Sequence, residues 1–233
     1  ALLFINDRSG TLNLAKTINH TGVASNIPSY SLTYEEGEWL KRLLEKKIEV
    51  RLSLETLSYC KKIETANLVV SLPGQKKEKI VVGAHFDGWD LGQGAIDNGI
   101  GSAILFDVAR LLKKFHPRNE YTLEMVWFNG EEFGLWGSRK YVQTHAGEPV
   151  VAMVNMDMTG SPTGFNAMGY DHLVPFLEAL LKEMNGFNLH QGVVSKPWAG
   201  SDHVPFMMQG IPCITLQAHL DPGSVSYYHS AGD

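Results

Sequence analysis

The chain has 233 residues and a mass of 25.8 kDa, room for one large domain or a domain with a smaller companion, and long enough to bury a core without disulfide staples. Hydrophobic residues make up 44% and charged residues 19%. A net charge of −5 and a pI near 6.0 offer no basic face to nucleic acid or anionic lipid. No apolar run reaches the roughly 18 residues of a membrane span, and two cysteines, Cys60 and Cys213, exclude a disulfide scaffold.

The chain opens on ALLFIND, with neither Met nor a signal-peptide pattern, and reads like the middle of a strand; the whole is expected to be a fragment. Leu2 to Ile5 predicts a short strand, Thr11 to Asn19 a helix, and Ile27 to Leu32 an extended piece. EEGEWLKRLLEKK predicts a charged helix with Trp39, Leu40, Leu43 and Leu44 on one stripe. IEVRLSL alternates strictly and predicts a closing strand. No chemistry stands out in this α/β module, and His20 reads as a surface residue.

From about Ala66 strands and helices alternate. ANLVVSL, EKIVVGAHF, YTLEMVWF, VVAMVNMDM and CITLQA predict strands. IGSAILFDVARLLKKF, GLWGSRKYVQTH and LVPFLEALLKEM predict helices, the first with Ile100, Ala103, Ile104, Val108 and Leu111 on one face. Apolar strands separated by helices predict an α/β fold: a mostly parallel mixed sheet covered by helices on both faces, with its site at the carboxyl ends of the strands.

Acids and imidazoles gather at those ends. GAHFD supplies His85 and Asp87. A Gly-rich loop, GWDLGQGAIDNGIG, places Asp97 at the start of the long helix. FNGEEFG supplies Glu131 and Glu132, NMDMTG supplies Asp157, and YYHSAGD supplies His229. Imidazole with carboxylate suits zinc, with cobalt or manganese as substitutes. Charge favours two ions. Two divalent cations bring +4, which Asp97, Glu132, Asp157 and a bridging hydroxide cancel. Paired metals polarise a carbonyl and generate hydroxide near neutral pH. Of two adjacent glutamates, one can ligate while the other takes a proton from water. Asp87, two residues after His85, could hold the imidazole's other nitrogen.

Each piece has a plain structural alternative. Asp97 with Asn98 could cap a helix. Glu131 and Glu132 could answer a helix dipole. Asp157 and His229 could be satisfied polar residues. The weight lies in five segments delivering such groups to one sheet edge. His-Glu-x-x-His, G-x-S-x-G and a phosphate loop are absent, and a dinucleotide fingerprint fits poorly. Cys213 reads as a buried structural thiol. His116, His145, His172, His190 and His219 read as structural or solvated.

In this order, GAHFD, GAIDNGIG, FNGEEFG, NMDM, SDHVPF and YYHSAGD resemble the co-catalytic di-zinc exopeptidases of metallopeptidase family 28. The match covers about residues 65–233 and is similar above all to the plasma glutamate carboxypeptidase branch. The resemblance implies that residues 1–56 are part of a protease-associated-type insert, and residues 57–233 a catalytic domain cut at its C-terminus. It implies one zinc on His85 and Asp157, another on Glu132 and His229, and Asp97 bridging. It also implies Glu131 as general base, Asp87 orienting His85, and a cis peptide at Asp97–Asn98. Asp202, His203 and Tyr228 match positions near a substrate cleft. The implied activity is hydrolysis of dipeptides or short peptides with a free N-terminus. A single-zinc glutaminyl cyclase and a non-catalytic receptor or scaffold on the same fold are the alternatives. A secreted, periplasmic or lumenal location follows from the family, and a homodimer is left open. Should the chain truly stop at Asp233, His229 is expected to be poorly held.

Overall fold

The computed structural model describes residues 1–10, 12–115, 118–184 and 186–233, so Thr11 and His116 lie outside it. Strands β1 (Leu2–Ile5) and β2 (Ser29–Leu32) pair in parallel, and helix α1 (Tyr34–Glu45) follows. A reciprocal cap starts α1. The Thr33 hydroxyl accepts from the Glu36 N–H at 3.2 Å, and the Glu36 carboxylate accepts from the Thr33 N–H at 3.4 Å. Gly37 seats the helix, since a Cβ there would lie 2.3 Å from Ile5. The expected stripe is therefore split: Trp39 and Leu44 are 55% and 60% exposed.

Two expectations in this region fail. Residues 12–19 form no helix. They run as an irregular strap pinned by distant groups: Leu14 is buried, and the Ala15 N–H donates to the His229 carbonyl at 2.8 Å. A helix this short is marginal by itself, and docking overrides it. IEVRLSL forms no strand either. Ile48, Leu52 and Leu54 are exposed, and no neighbouring strand among the described residues takes up the segment's backbone groups.

The main sheet contains β3 (Leu68–Leu72), β4 (Lys79–His85), β5 (Thr122–Phe128), β6 (Val150–Asn155), β7 (Ser161–Asn166), β8 (Gly192–Val194) and β9 (Cys213–His219). Their order is β3-β5-β4-β6-β9-β7-β8. The run β5-β4-β6-β9 is parallel, while β3 joins β5 and β7 joins β9 antiparallel. This is the expected mixed, mostly parallel sheet. β7 and β8 were not foreseen: SPTGFN carries Pro and Gly, and β8 spans only 3 residues.

Period-two alternation sorts side chains to the two faces. On one face Val81, Val126, Phe128 and Met153 pack with Tyr141 of α3 (Trp136–Thr144), Phe206 of α5 (His203–Met207) and Cys213. On the other, Ala84, Met125 and Trp127 pack with Leu105 of α2 (Ile100–Phe115). A third cluster joins Leu177 of α4 (Val174–Glu183) to Ala167 and Ile214. Cys213 is buried, as expected, and Cys60 is exposed; both are free thiols. No helix among the described residues is long and apolar enough to cross a membrane.

The inner face of α2 is rotated from the expected one. Gly101, Leu105, Ala109 and Leu112 face the sheet, while Ile100 and Leu111 are each 37% exposed. The helix is apolar on more than one stripe, and close approach at Gly101 decides between them. A Cβ at Gly101 would lie 2.3 Å from both Asn98 Oδ1 and the Met156 carbonyl. Gly101→Ala is therefore expected to cost about 1–3 kcal/mol by overpacking, read as a lowered midpoint in urea.

Candidate metal centre

Three of the five expected segments reach the carboxyl edge of the sheet directly from its strands. His85 closes β4. Asp97 lies in the tight turn that enters α2, where the Gly99 N–H donates to the Gly94 carbonyl at 2.7 Å. Glu131 and Glu132 follow β5, and Asp157 follows β6. His229 arrives from the loop after α6 (Pro222–Val225). Asp97 sits between the two imidazoles. Its Oδ1 is 3.1 Å from His85 Nε2, and its Oδ2 is 3.0 Å from His229 Nε2. Asp157 is 3.5 Å from His85 Nε2 on one side; Glu132 is 3.1 Å from His229 Nε2 on the other. The donor atoms fall into two groups, His85–Glu131–Asp157 and Asp97–Glu132–His229, each within 4.8 Å.

The surroundings fix these groups. His85 Nδ1–H donates to the Asp87 backbone carbonyl at 3.0 Å, which aims Nε2 at Asp97 and Asp157. The Asp87 carboxylate does something not foreseen. It stands 3.8 Å from His85 Nδ1 and accepts instead from the N–H groups of Glu131 (3.1 Å) and Glu132 (3.3 Å). β4 ends at His85, so the chain has left strand geometry by Asp87 and turns its carboxylate to the next loop. Asn98 ties the Asp97 turn to the Asp157 loop: its Nδ2 donates to the Met156 carbonyl (2.8 Å), and its Oδ1 accepts from Gly101 and Met158. The Asp97–Asn98 peptide is cis, as expected.

His229 is well held. Asp233 accepts from the Ile96 N–H through its side chain (2.8 Å) and from the Gln93 N–H through its carbonyl (2.6 Å), so the loop packs onto the Gly-rich turn. Gly92 permits this approach, because a Cβ there would meet the Ser230 carbonyl at 2.5 Å.

Tyr228 lines the cleft above these residues, as expected. Asp202 and His203 do not. Both are wholly buried, and His203 is engaged by Asn155 and the Trp198 carbonyl. Sequence reasoning missed Trp89, which lies in the cleft wall with its ring 6.1 Å from His229. Its place inside the Gly-rich loop was the available signal. His20 is exposed, as expected of a surface residue, and lies against Gly134 beside the glutamate pair.

The centre is strongly acidic, and it calls for positive charge. Burial opposes protonation of His85, yet Asp157 and Asp97 raise it well above the usual imidazole value. His229 behaves alike and is raised to about 9 by Asp97 and Glu132 against the effect of burial. Burial, helped by Asp202, Asp157 and Glu132, raises Glu131 to about 9. Burial likewise raises Asp202 to about 7. Meanwhile His85 Nε2, Glu132 Oε1 and Asp157 Oδ1 are buried without a hydrogen bond. Convergent, unsatisfied nitrogen and oxygen donors in an anionic pocket fit zinc.

Comparison with known proteins agrees with this geometry. The profile of peptidase family M28 matches residues 67–233. Carboxypeptidase Q from Bos taurus is 30% identical over 227 residues, covering 92% of this chain and 47% of that protein. The chain thus spans about half the length of the curated relatives it matches. A peptidase M28 precursor from Shewanella amazonensis has the same fold, with a TM-score of 0.75 at 22% identity over 100% of this chain and 54% of that one. So does BSAP, a zinc aminopeptidase from Bacillus subtilis, with a TM-score of 0.67 at 22% identity over 98% of this chain and 56% of that one.

Two outcomes are expected. With metal stripped by a chelator, the protonated forms of His229 and Glu131 favour the folded state. The His229 contribution is complete below its ordinary value of 6.5 and lost as pH rises through about 9. That of Glu131 is complete below 4.5 and lost through the same upper limit. The melting temperature of the stripped protein should therefore begin to fall above pH 4.5 and fall most steeply between pH 6.5 and 9, and saturating zinc should reverse the fall; a flat profile would count against this charge balance. Asp87→Ala removes the acceptor of two backbone N–H groups but keeps the carbonyl that orients His85. It should cost about 1–3 kcal/mol in urea unfolding while zinc content stays at the wild-type level.

Proposed function

The chain belongs to peptidase family M28, and from that premise we propose that it carries the centre of a zinc-dependent exopeptidase that hydrolyses dipeptides or short peptides with a free N-terminus. The observation that carries this reading is Asp97, whose two oxygens each face a different histidine. His85 and Asp157 would hold one zinc and Glu132 and His229 the other, with Asp97 shared. When bound, the pair supplies Lewis acidity to a carbonyl oxygen and to water.

Glu131 is the base in this reading. Its backbone is fixed by Asp87, and its side chain opens on the cleft. A Glu131 carboxylate oxygen takes a proton from the attacking water and returns it to the departing amine. Burial and neighbouring acids hold this carboxyl high, and positive charge beside it acts in the opposite sense, toward the neutral range where a general base works best.

The cleft has a volume of about 490 Å³, the scale of a small-ligand site. Its floor is acidic at Glu131 and Glu132, and its walls carry Lys16, His20 and Arg139. An acidic floor suits the amino group of a short peptide, and Lys16 and Arg139 in the walls suit its carboxylate, which supports substrates of dipeptide size. Residues 1–56, in this reading, belong to a protease-associated-type insert, and residues 57–233 to the catalytic domain. Family membership also supports a secreted, periplasmic or lumenal enzyme.

Glu131→Gln is expected to lower kcat by about 10²–10⁴-fold with two zinc ions still bound per chain. Dipeptides should be cleaved and N-acetylated peptides left intact. Unchanged turnover in the variant would overturn the base assignment. One tightly held zinc per chain would favour the glutaminyl cyclase alternative, and a chain that neither binds zinc nor hydrolyses peptides would favour a scaffold.

A further inference from the structure

We propose that Arg8 and the strap that follows it, both upstream of the family-matched region, are part of the metal centre's frame, with Arg8 as a positioning residue for His229. This rests on the reading that His229 holds a metal. The Arg8 guanidinium donates from Nη1 to three carbonyls of one turn: Val225 (3.2 Å), Ser226 (3.2 Å) and Tyr228 (3.0 Å). It also stacks over the Tyr228 ring, 4.3 Å from its centroid. The side chain is only 19% exposed. Those carbonyls lie where α6 ends and the chain turns toward His229. Carbonyls at a helix end have no partners within the helix, and a cation there satisfies them.

A second bond continues the hold at His229 itself. The Ala15 N–H donates to its carbonyl at 2.8 Å. His229 adopts a left-handed backbone with φ of +63°, which disfavours a non-glycine residue and requires outside support. The strap can supply that support because it is anchored in turn. Leu14 is 2% exposed, and the buried Asn6 side chain donates to the Leu12 carbonyl. One side of the His229 loop is thus fixed by the Gly-rich turn through Asp233, and the other by Arg8 and Ala15. Neither Glu132 nor Asp97 needs this strap, since both are set by the sheet and its own loops.

The shape of the interaction explains the choice of residue. A planar, delocalised guanidinium can face several carbonyls and a ring together, whereas an ammonium is a compact point charge. Arg8→Lys should therefore keep only part of the hold and Arg8→Ala none. Loss of a supporting partner typically weakens metal affinity by about 10–100-fold.

The test counts and titrates zinc on the whole chain, by equilibrium dialysis against a competing chelator with elemental analysis. Wild type should hold two ions. Arg8→Ala should release one of them about 10–100-fold more readily and keep the other at wild-type affinity, with Arg8→Lys between them. A purely structural role would lower the melting temperature and either spare both ions or loosen both. Ala15→Gln, which keeps the N–H, should leave both affinities unchanged, whereas Ala15→Pro, which removes it, should loosen the same single ion. Two ions at wild-type affinity in Arg8→Ala and Ala15→Pro would overturn the inference alone. A wild-type chain that holds fewer than two would overturn the di-zinc reading and the inference with it.

Discussion

The centre is organised around one buried carboxylate shared between two imidazoles. Asp97 is 7% exposed and cannot turn without losing His85 or His229. Around it stand Glu131, Glu132, Asp157 and Asp202, more negative charge than two imidazolium groups can offset. Like charges this close destabilise one another unless protons or cations intervene. The raised positions of His85 and His229 express that imbalance directly, while those of Glu131 and Asp202 come first from burial, with neighbouring carboxylates adding to it. A site that gathers protons in this way is one that divalent cations can occupy by displacing them.

Such a cluster needs rigid supports, and the sheet provides them. β4 lies between β5 and β6, so three neighbouring parallel strands end side by side and deliver His85, the glutamate pair and Asp157 to one edge. Hydrogen bonds between the loops then fix the remaining freedom. Asn98 joins the first loop to the third, and Asp87 joins the first to the second. The Ser102 hydroxyl donates to the His85 carbonyl at 2.6 Å and locks the base of α2 to the end of β4. Each of these partners is itself held by backbone, so the repulsion among the carboxylates meets a frame that cannot open locally.

Much of this was legible in the residues. The ligand-bearing segments are short, they follow apolar runs, and strand ends are where parallel sheets place chemistry. Their chain order therefore predicted their spatial gathering. What escaped was orientation and distance. The H-x-D spacing of His85 and Asp87 suggested one shared side of a strand, but the strand stops between them, and the carboxylate went to the glutamate loop. In α2 two apolar stripes competed, and the absence of a side chain at Gly101 chose between them. Asp202 and His203 were placed near the cleft by resemblance, and both are wholly buried and absent from its lining.

The N-terminal unit is the sharper case. Composition and periodicity made residues 1–56 a separate module without chemistry, and the family match begins only at residue 67. Yet Arg8 reaches carbonyls 217 to 220 positions away, and Ala15 bonds the backbone of His229. No local pattern encodes such a contact, because a lone arginine in a polar turn looks like any solvated cation. The same folding that turned an expected helix into a strap made that contact available. A helix over residues 12–19 would have committed the Ala15 N–H to its own first turns. The strap leaves that donor free, and it goes to the carbonyl of His229, which reaches the centre from a loop and not from the end of a strand.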